Sequence, residues 1–112
     1  MKTAISPGER AVRVQLERIV KSPDFDTSPR SREFLRFVVE ETLAGRESSI
    51  SQHAIGTVVF HRGNDFDPAT DPIVRMQAGR VRRSLERYYF TSGAEDAVII
   101  DIPKGAYAPV FR

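Results

Sequence analysis

Five arginines, Arg75, Arg80, Arg82, Arg83 and Arg87, crowd the stretch "TDPIVRMQAGRVRRSLERYYF" against a single glutamate, Glu86. Arginine presents a planar fork of donors that matches phosphate oxygens and guanine edges two bonds at a time, whereas lysine is a point charge. Of the 17 basic residues, 14 are arginine. A GC-rich genome accounts for that bias but not for the clustering. Residues 1–70 sum to zero charge, while residues 71–93 set five arginines against Asp71 and Glu86, a net +3. The chemistry to expect is the binding of an anion.

Other chemistries find less support. The chain has no cysteine, so thiol, disulfide and zinc-thiolate chemistry are excluded. His53 and His61 lie eight apart without a matching ligand cluster. Asp65, Asp67 and Asp71 in "DFDPATD" resemble the start of a calcium loop, but the required glycine is Thr70 and the twelfth position is Met76. Turn and cap duty suits these aspartates better. There is no nucleophile elbow and no Gly-rich phosphate loop. Neither enzyme activity nor a cofactor, metal or small-molecule ligand is expected.

The elements that must position the arginines follow from patterning. With 112 residues, one domain over 1–112 is expected. "SPGERAVRVQLERIVKSP" has Ser6 and Glu9 at capping-box spacing, Pro7 in the first turn, and Val12, Leu16, Ile19 and Val20 at helical spacing. This predicts a helix at about 7–22. Ser28 and Pro29 start a second helix, 29–44, with Phe34, Leu35, Val38, Val39 and Leu43 on one face and Gly45 as its left-handed stop. A third, shorter helix has Ser49 and Ser51 as rival caps and Ile55, Val58 and Val59 facing inward, although "TVVF" alone also fits a strand. Gly63-Asn64 ends it, and a loop of roughly ten residues follows. Asp71 as cap, Pro72 in the first turn and Gly93 as stop bound a helix over 71–92. Val98, Ile99, Ile100 and Ile102, the turn signal Pro103-Lys104-Gly105, then Tyr107, Val110 and Phe111 predict a β-hairpin over 97–111.

At about 100° per residue, Val74, Ala78, Val81, Leu85 and Tyr88 share one stripe of the 71–92 helix. Met76, Arg80, Arg83 and Arg87 fall around the opposite pole, with Gly79 beside them and Arg75 and Arg82 on a flank. A mid-helix glycine costs about 1 kcal/mol against alanine. Gly79 therefore serves either another part of the chain packing on it or an external surface that comes close. Tyr88, Tyr89 and Phe90 are expected at the core and its rim rather than stacked on bases. Arg10, Arg13 and Arg18 have acidic neighbours, and Glu40-Glu41 reads as a solvated face.

A cationic helix followed by a hairpin with a basic tip is the order of a winged helix-turn-helix, whose last helix enters the major groove. "VRMQAGRVRRSLE" resembles the recognition helix of OmpR/PhoB-type response-regulator DNA-binding domains through Val74, Gln77, Arg80, Val81, Arg82, Arg83, Leu85 and Glu86. "IPKGAYAPVF" resembles that family's wing. More closely, the run from "SREFLRFVVEETLAG" to "IPKGAYAPVF" is similar to a domain at the N-terminus of bacterial adenylate-cyclase and tetratricopeptide-repeat proteins. The resemblance implies a mainly α fold with a C-terminal β-hairpin: a winged helix-turn-helix core at about 28–112 and an extra N-terminal helix. It implies no cyclase activity.

The expected function is sequence-specific binding of double-stranded DNA by a small bacterial transcriptional regulator. Arg75, Met76, Gly79, Arg80 and Arg83 would read bases, and Arg82, Arg87 and Lys104 would hold the backbone. A homodimer on DNA is expected, with part of the first helix as a pairing surface. The alternative is a protein–protein assembly module on the same scaffold. No apolar stretch approaches the ~20 residues of a membrane helix, and "MKTAISPGER" lacks a signal-peptide apolar run. A cytoplasmic, nucleoid-associated protein is expected.

Overall fold

Among the described residues, two of the four α-helices begin at a serine whose side chain takes up an amide with no partner inside the helix. The computed structural model describes residues 7–112: α1 Glu9–Lys21, α2 Pro29–Leu43, α3 Gln52–Val58, α4 Ile73–Phe90, and strands β1 Ile100–Asp101 and β2 Val110–Phe111. Ser28 caps α2 by accepting the Ser31 amide at 3.2 Å, and Gly45 follows it at φ 79°. Ser51, not Ser49, caps α3 by accepting the Ala54 amide at 3.0 Å. Ser49 instead belongs to a 3-10 turn, Glu47–Ser49, that patterning does not anticipate. α4 begins at Ile73 with Pro72, not Asp71, at the cap position and no side-chain cap; Asp71 lies one residue earlier and accepts the Ile73 amide at 3.2 Å as a turn.

Three other boundaries differ from expectation. The cap expected at Ser6 lies outside the described residues; α1 starts at Glu9 behind Gly8, without a side-chain cap. The "TVVF" segment splits its side chains, with Val59 and Phe60 buried but Val58 54% exposed, because α3 ends at Val58. Gly93 is not a left-handed stop. α4 ends at Phe90, and Gly93 lies under the Tyr88 ring, where a Cβ would collide with it, donating its amide to the Tyr88 carbonyl at 2.7 Å.

The core draws on all four helices and on the first arm of the hairpin. Val12, Leu16, Ile19 and Val20 of α1 are buried together with Phe34, Leu35, Val38 and Val39 of α2, Ile55 of α3, and Ile100 and Ile102 of the hairpin. The α4 stripe of Val74, Ala78, Val81, Leu85 and Tyr88 is buried among them. α1 therefore spends its expected apolar face inside one chain, which leaves Val14 as its exposed large apolar side chain. Its polar side is also used. Asp96 accepts from Gln15 (2.9 Å), the Tyr88 hydroxyl (2.5 Å) and Arg18 (3.0 Å). Burial alone would raise the Asp96 carboxyl; bonds from Gln15 and Tyr88 and the Arg18 charge reverse this and hold it below the ordinary carboxylate range. Burial, then the Asp96 bond and charge, push the Tyr88 phenol above its ordinary range. Arg13 pairs with Glu9 and Glu40, and Arg46 with Glu41, so Glu40-Glu41 is an ion-paired surface rather than a simply solvated one.

The paired part of the hairpin is shorter than the span 97–111 suggests, with strands of two residues each. Ile100 pairs with Phe111 and Asp101 with Val110 in antiparallel register, and reciprocal amide–carbonyl bonds between Ile99 and Arg112 extend the ladder. Gly105 at φ 85° closes the Pro103–Ala106 turn. The α3–α4 connection runs from Val59 to Pro72, longer than the expected ten residues, and it is anchored. Arg62 pairs with Asp71 at 2.9 Å, and the Phe66 ring lies against Gly56, whose Cβ, if present, would stand 2.5 Å from it.

Helix propensity alone favours Gly56→Ala by up to about 1 kcal/mol. We expect the opposite here: a loss of about 1–3 kcal/mol from overpacking against Phe66. It should appear as a lower denaturant midpoint at unchanged slope. A higher midpoint would mean that Phe66 does not rest on Gly56 in solution.

Candidate nucleic-acid interface

Burial of the α4 stripe aims the rest of the helix. Met76 is 63% exposed, and Arg75, Arg80, Arg83, Glu86 and Arg87 are also exposed, on the side away from the core. Gly79 lies among them. A Cβ built there would meet the end of the Arg83 side chain at 3.4 Å, an ordinary contact. Between the two readings of Gly79, no packing within the described residues requires the missing side chain.

The arginines divide by what they hold. Arg75 donates to the Pro68 carbonyl at 2.9 Å and pins the preceding loop. Arg87 donates to the Asp24 carbonyl at 3.0 Å. Arg82 is turned toward the hairpin and donates to the carbonyls of Ile102 (3.1 Å), Pro103 (3.3 Å) and Ala106 (2.7 Å). This corrects the expectation that Arg82 reaches outward to a phosphate: its fork clamps the hairpin turn onto α4. Arg80 pairs with Asp26 at 2.8 Å. Arg83 has no hydrogen-bond partner among the described residues.

A carbonyl acceptor satisfies a guanidinium's geometry but carries no net charge, so Arg75 and Arg82 do structural work without a carboxylate partner, while Arg87, bonded to the Asp24 carbonyl, also lies in the field of the Asp24 carboxylate. Only Arg80 among the five is matched by a carboxylate among the described residues. The helix therefore retains a positive face. A groove of about 510 Å³ runs between α4 and the hairpin turn; Gly79, Arg83, Glu86, Asp101 and Lys104 are among its lining residues. Lys104 stands exposed at the turn. The eight expected contact residues thus lie on α4 and the hairpin turn, with Met76, Gly79, Arg83 and Lys104 free of side-chain bonds among the described residues.

Sequence reasoning missed two features. Asp26 is one, since nothing in the spacing indicates that residues 54 apart meet. Its position just before the Ser28 cap was the only signal, and that signal speaks of α2 alone. The other is Phe90, 88% exposed rather than at the core rim, because α4 ends there and the chain turns beneath Tyr88.

Arg82→Ala should cost about 1–3 kcal/mol, since it leaves three carbonyls without their charged donor. The loss should concentrate in the hairpin, with faster amide exchange at Ile99 and Arg112. Arg82→Lys should restore little, because an ammonium does not present the planar fork. Unchanged exchange in both variants would separate the hairpin's stability from this clamp.

In comparisons with known proteins, the chain matches no family model, no curated protein and no solved structure.

Proposed function

We propose that the protein is a winged helix-turn-helix domain that binds double-stranded DNA, with α4 in the major groove and the β1–β2 hairpin as the wing. The observation that carries this reading is the face of α4 opposite its core. That face holds positive charge left uncompensated by carbonyl acceptors, and a helix-interior glycine that no internal contact requires. α4 is 18 residues long, roughly 27 Å, and the major groove admits a helix. Met76 and Arg83 extend from the centre of the exposed face, where base edges would lie, and Lys104 extends from the hairpin toward the flanking backbone. Sequence-specific recognition would make the protein a transcriptional regulator.

A second reading, an assembly module, draws on Phe90, whose exposed ring adjoins Arg83, Glu86 and Arg87. Selection from random duplex DNA separates the two. The DNA reading expects a consensus and a binding constant that falls steeply with salt; an assembly module expects neither.

Two variants sharpen the test. Gly79→Ala should raise thermal stability by about 0.5–1 kcal/mol and at the same time weaken binding to the selected duplex. Stability and binding that rise together would show that nothing approaches Gly79 closely. Lys104→Ala should weaken binding on every sequence and lower the salt slope by about one ion. An unchanged slope would place the hairpin away from DNA.

A further inference from the structure

The pairing of Arg80 is unlike that of its neighbours. Asp26 precedes α2, and three hydrogen bonds fix its carboxylate: one oxygen accepts the Ser28 amide at 2.9 Å, and the other accepts the Ser31 hydroxyl at 2.8 Å and Arg80 Nη2 at 2.8 Å. Ser31 is itself held, accepting from the buried Gln77 amide at 2.6 Å. Gln77 lies one turn before Arg80 on α4. The relay runs from Gln77 on α4 through Ser31 of α2 and Asp26 and back to α4, ending at one nitrogen of the Arg80 guanidinium. The Asp26 side chain is 15% exposed and that of Arg80 53%, so the carboxylate is sheltered while the fork emerges into solvent. The remaining Arg80 N–H groups have no partner among the described residues.

Two physical consequences follow. A free arginine side chain loses substantial rotamer entropy on binding; one already gripped at one nitrogen loses less. In addition, a carboxylate in contact with the guanidinium cancels much of its charge at a distance, so the pair gains little from a phosphate and releases few counterions. What persists is the direction of the outer N–H groups. A neutralised, oriented fork suits a base edge, where guanine O6 and N7 accept two bonds at once, better than a phosphate.

We propose that Asp26 is a positioning residue that commits Arg80 to reading a guanine edge and withholds it from the phosphate backbone. The inference rests on the DNA-binding reading. It makes Asp26 a determinant of specificity that need not touch the nucleic acid, with Ser31 and Gln77 as its supports.

The test is Asp26→Asn, with the wild-type protein beside it, in binding to the wild-type consensus duplex, to that duplex with each guanine replaced in turn, and to random duplex, across a salt series. Asparagine keeps the acceptor for Ser28 but removes the charge that grips and neutralises Arg80. The expected result has two opposite signs. Discrimination at one guanine position falls by about tenfold, while affinity for random duplex rises and its salt slope steepens by up to about one ion. A merely structural role for Asp26 would lower both affinities together and leave the base preference unchanged, and that outcome overturns the proposal. So does an Asp26→Asn protein indistinguishable from wild type. Should Asp26→Asn fail to fold, Asp26→Ser supplies a hydroxyl acceptor for the Ser28 amide and carries the same expectations. Arg80→Lys provides the complementary check: it keeps the ion pair and loses the fork, so the preference at the same position should disappear without a rise in random binding. A wild-type protein that selects no sequence would instead remove the DNA-binding reading, and this inference with it.

Discussion

Five side chains of α4, Val74, Ala78, Val81, Leu85 and Tyr88, constrain everything else in the molecule. They are buried against α2, α3 and the hairpin, and burial of each larger one stabilises by about 1.5–3 kcal/mol. That burial fixes the rotation of α4 about its axis. Once the rotation is fixed, the 100° step per residue leaves no freedom in where the arginines point. The core therefore builds the cationic face without touching it: rotating α4 to hide Met76 or Arg83 would expose the stripe.

The arginines then do two jobs with one side chain. An arginine matched by a carboxylate holds structure but gives up its field; one matched by a carbonyl holds structure and keeps it. Arg75 and Arg82 follow the second course, and Arg87 follows it in part, since its charge also acts on the Asp24 carboxylate; together they tie the α3–α4 loop, the hairpin turn and the segment before α2 to a single helix. Backbone carbonyls at turns need donors in any case. The helix supplies them from its own flank, so the rigidity of the face and its charge come from the same atoms. Arg80 follows the first course, and its partner Asp26 is itself fixed by the start of α2.

At the far end of α4, a compact polar cluster joins α1 to the hairpin. The Tyr89 hydroxyl donates to the Val98 carbonyl at 3.0 Å and accepts the Ile100 amide at 2.9 Å, while Gln15 bridges Tyr89 and Asp96. Partly buried polar groups of this kind are favourable when each has its partner. The cluster sets where the chain leaves α4 and enters β1. It also explains why Phe90, one residue further on, is left in solvent.

The amino-acid sequence by itself determined the helices, their order, the α4 core stripe and the outward placement of Met76, Gly79, Arg80 and Arg83. These depend on period, capping and turn chemistry, which act within a few residues. Ser28, Gly45 and Gly105 all took the turn or cap duty that their local patterns indicated, whereas the cap position of α4 fell to Pro72 rather than Asp71. Only the tertiary structure decided what each arginine holds. Arg82 and Arg83 are adjacent and chemically identical, yet one clamps carbonyls 20 to 24 residues away and the other is unpartnered among the described residues. No local pattern separates them, because the difference lies in which loop folds back against each side chain. The same reason hid the pairing of Asp26 with Arg80 and the Phe66 ring on Gly56. Each joins residues whose proximity exists only after the helices have packed.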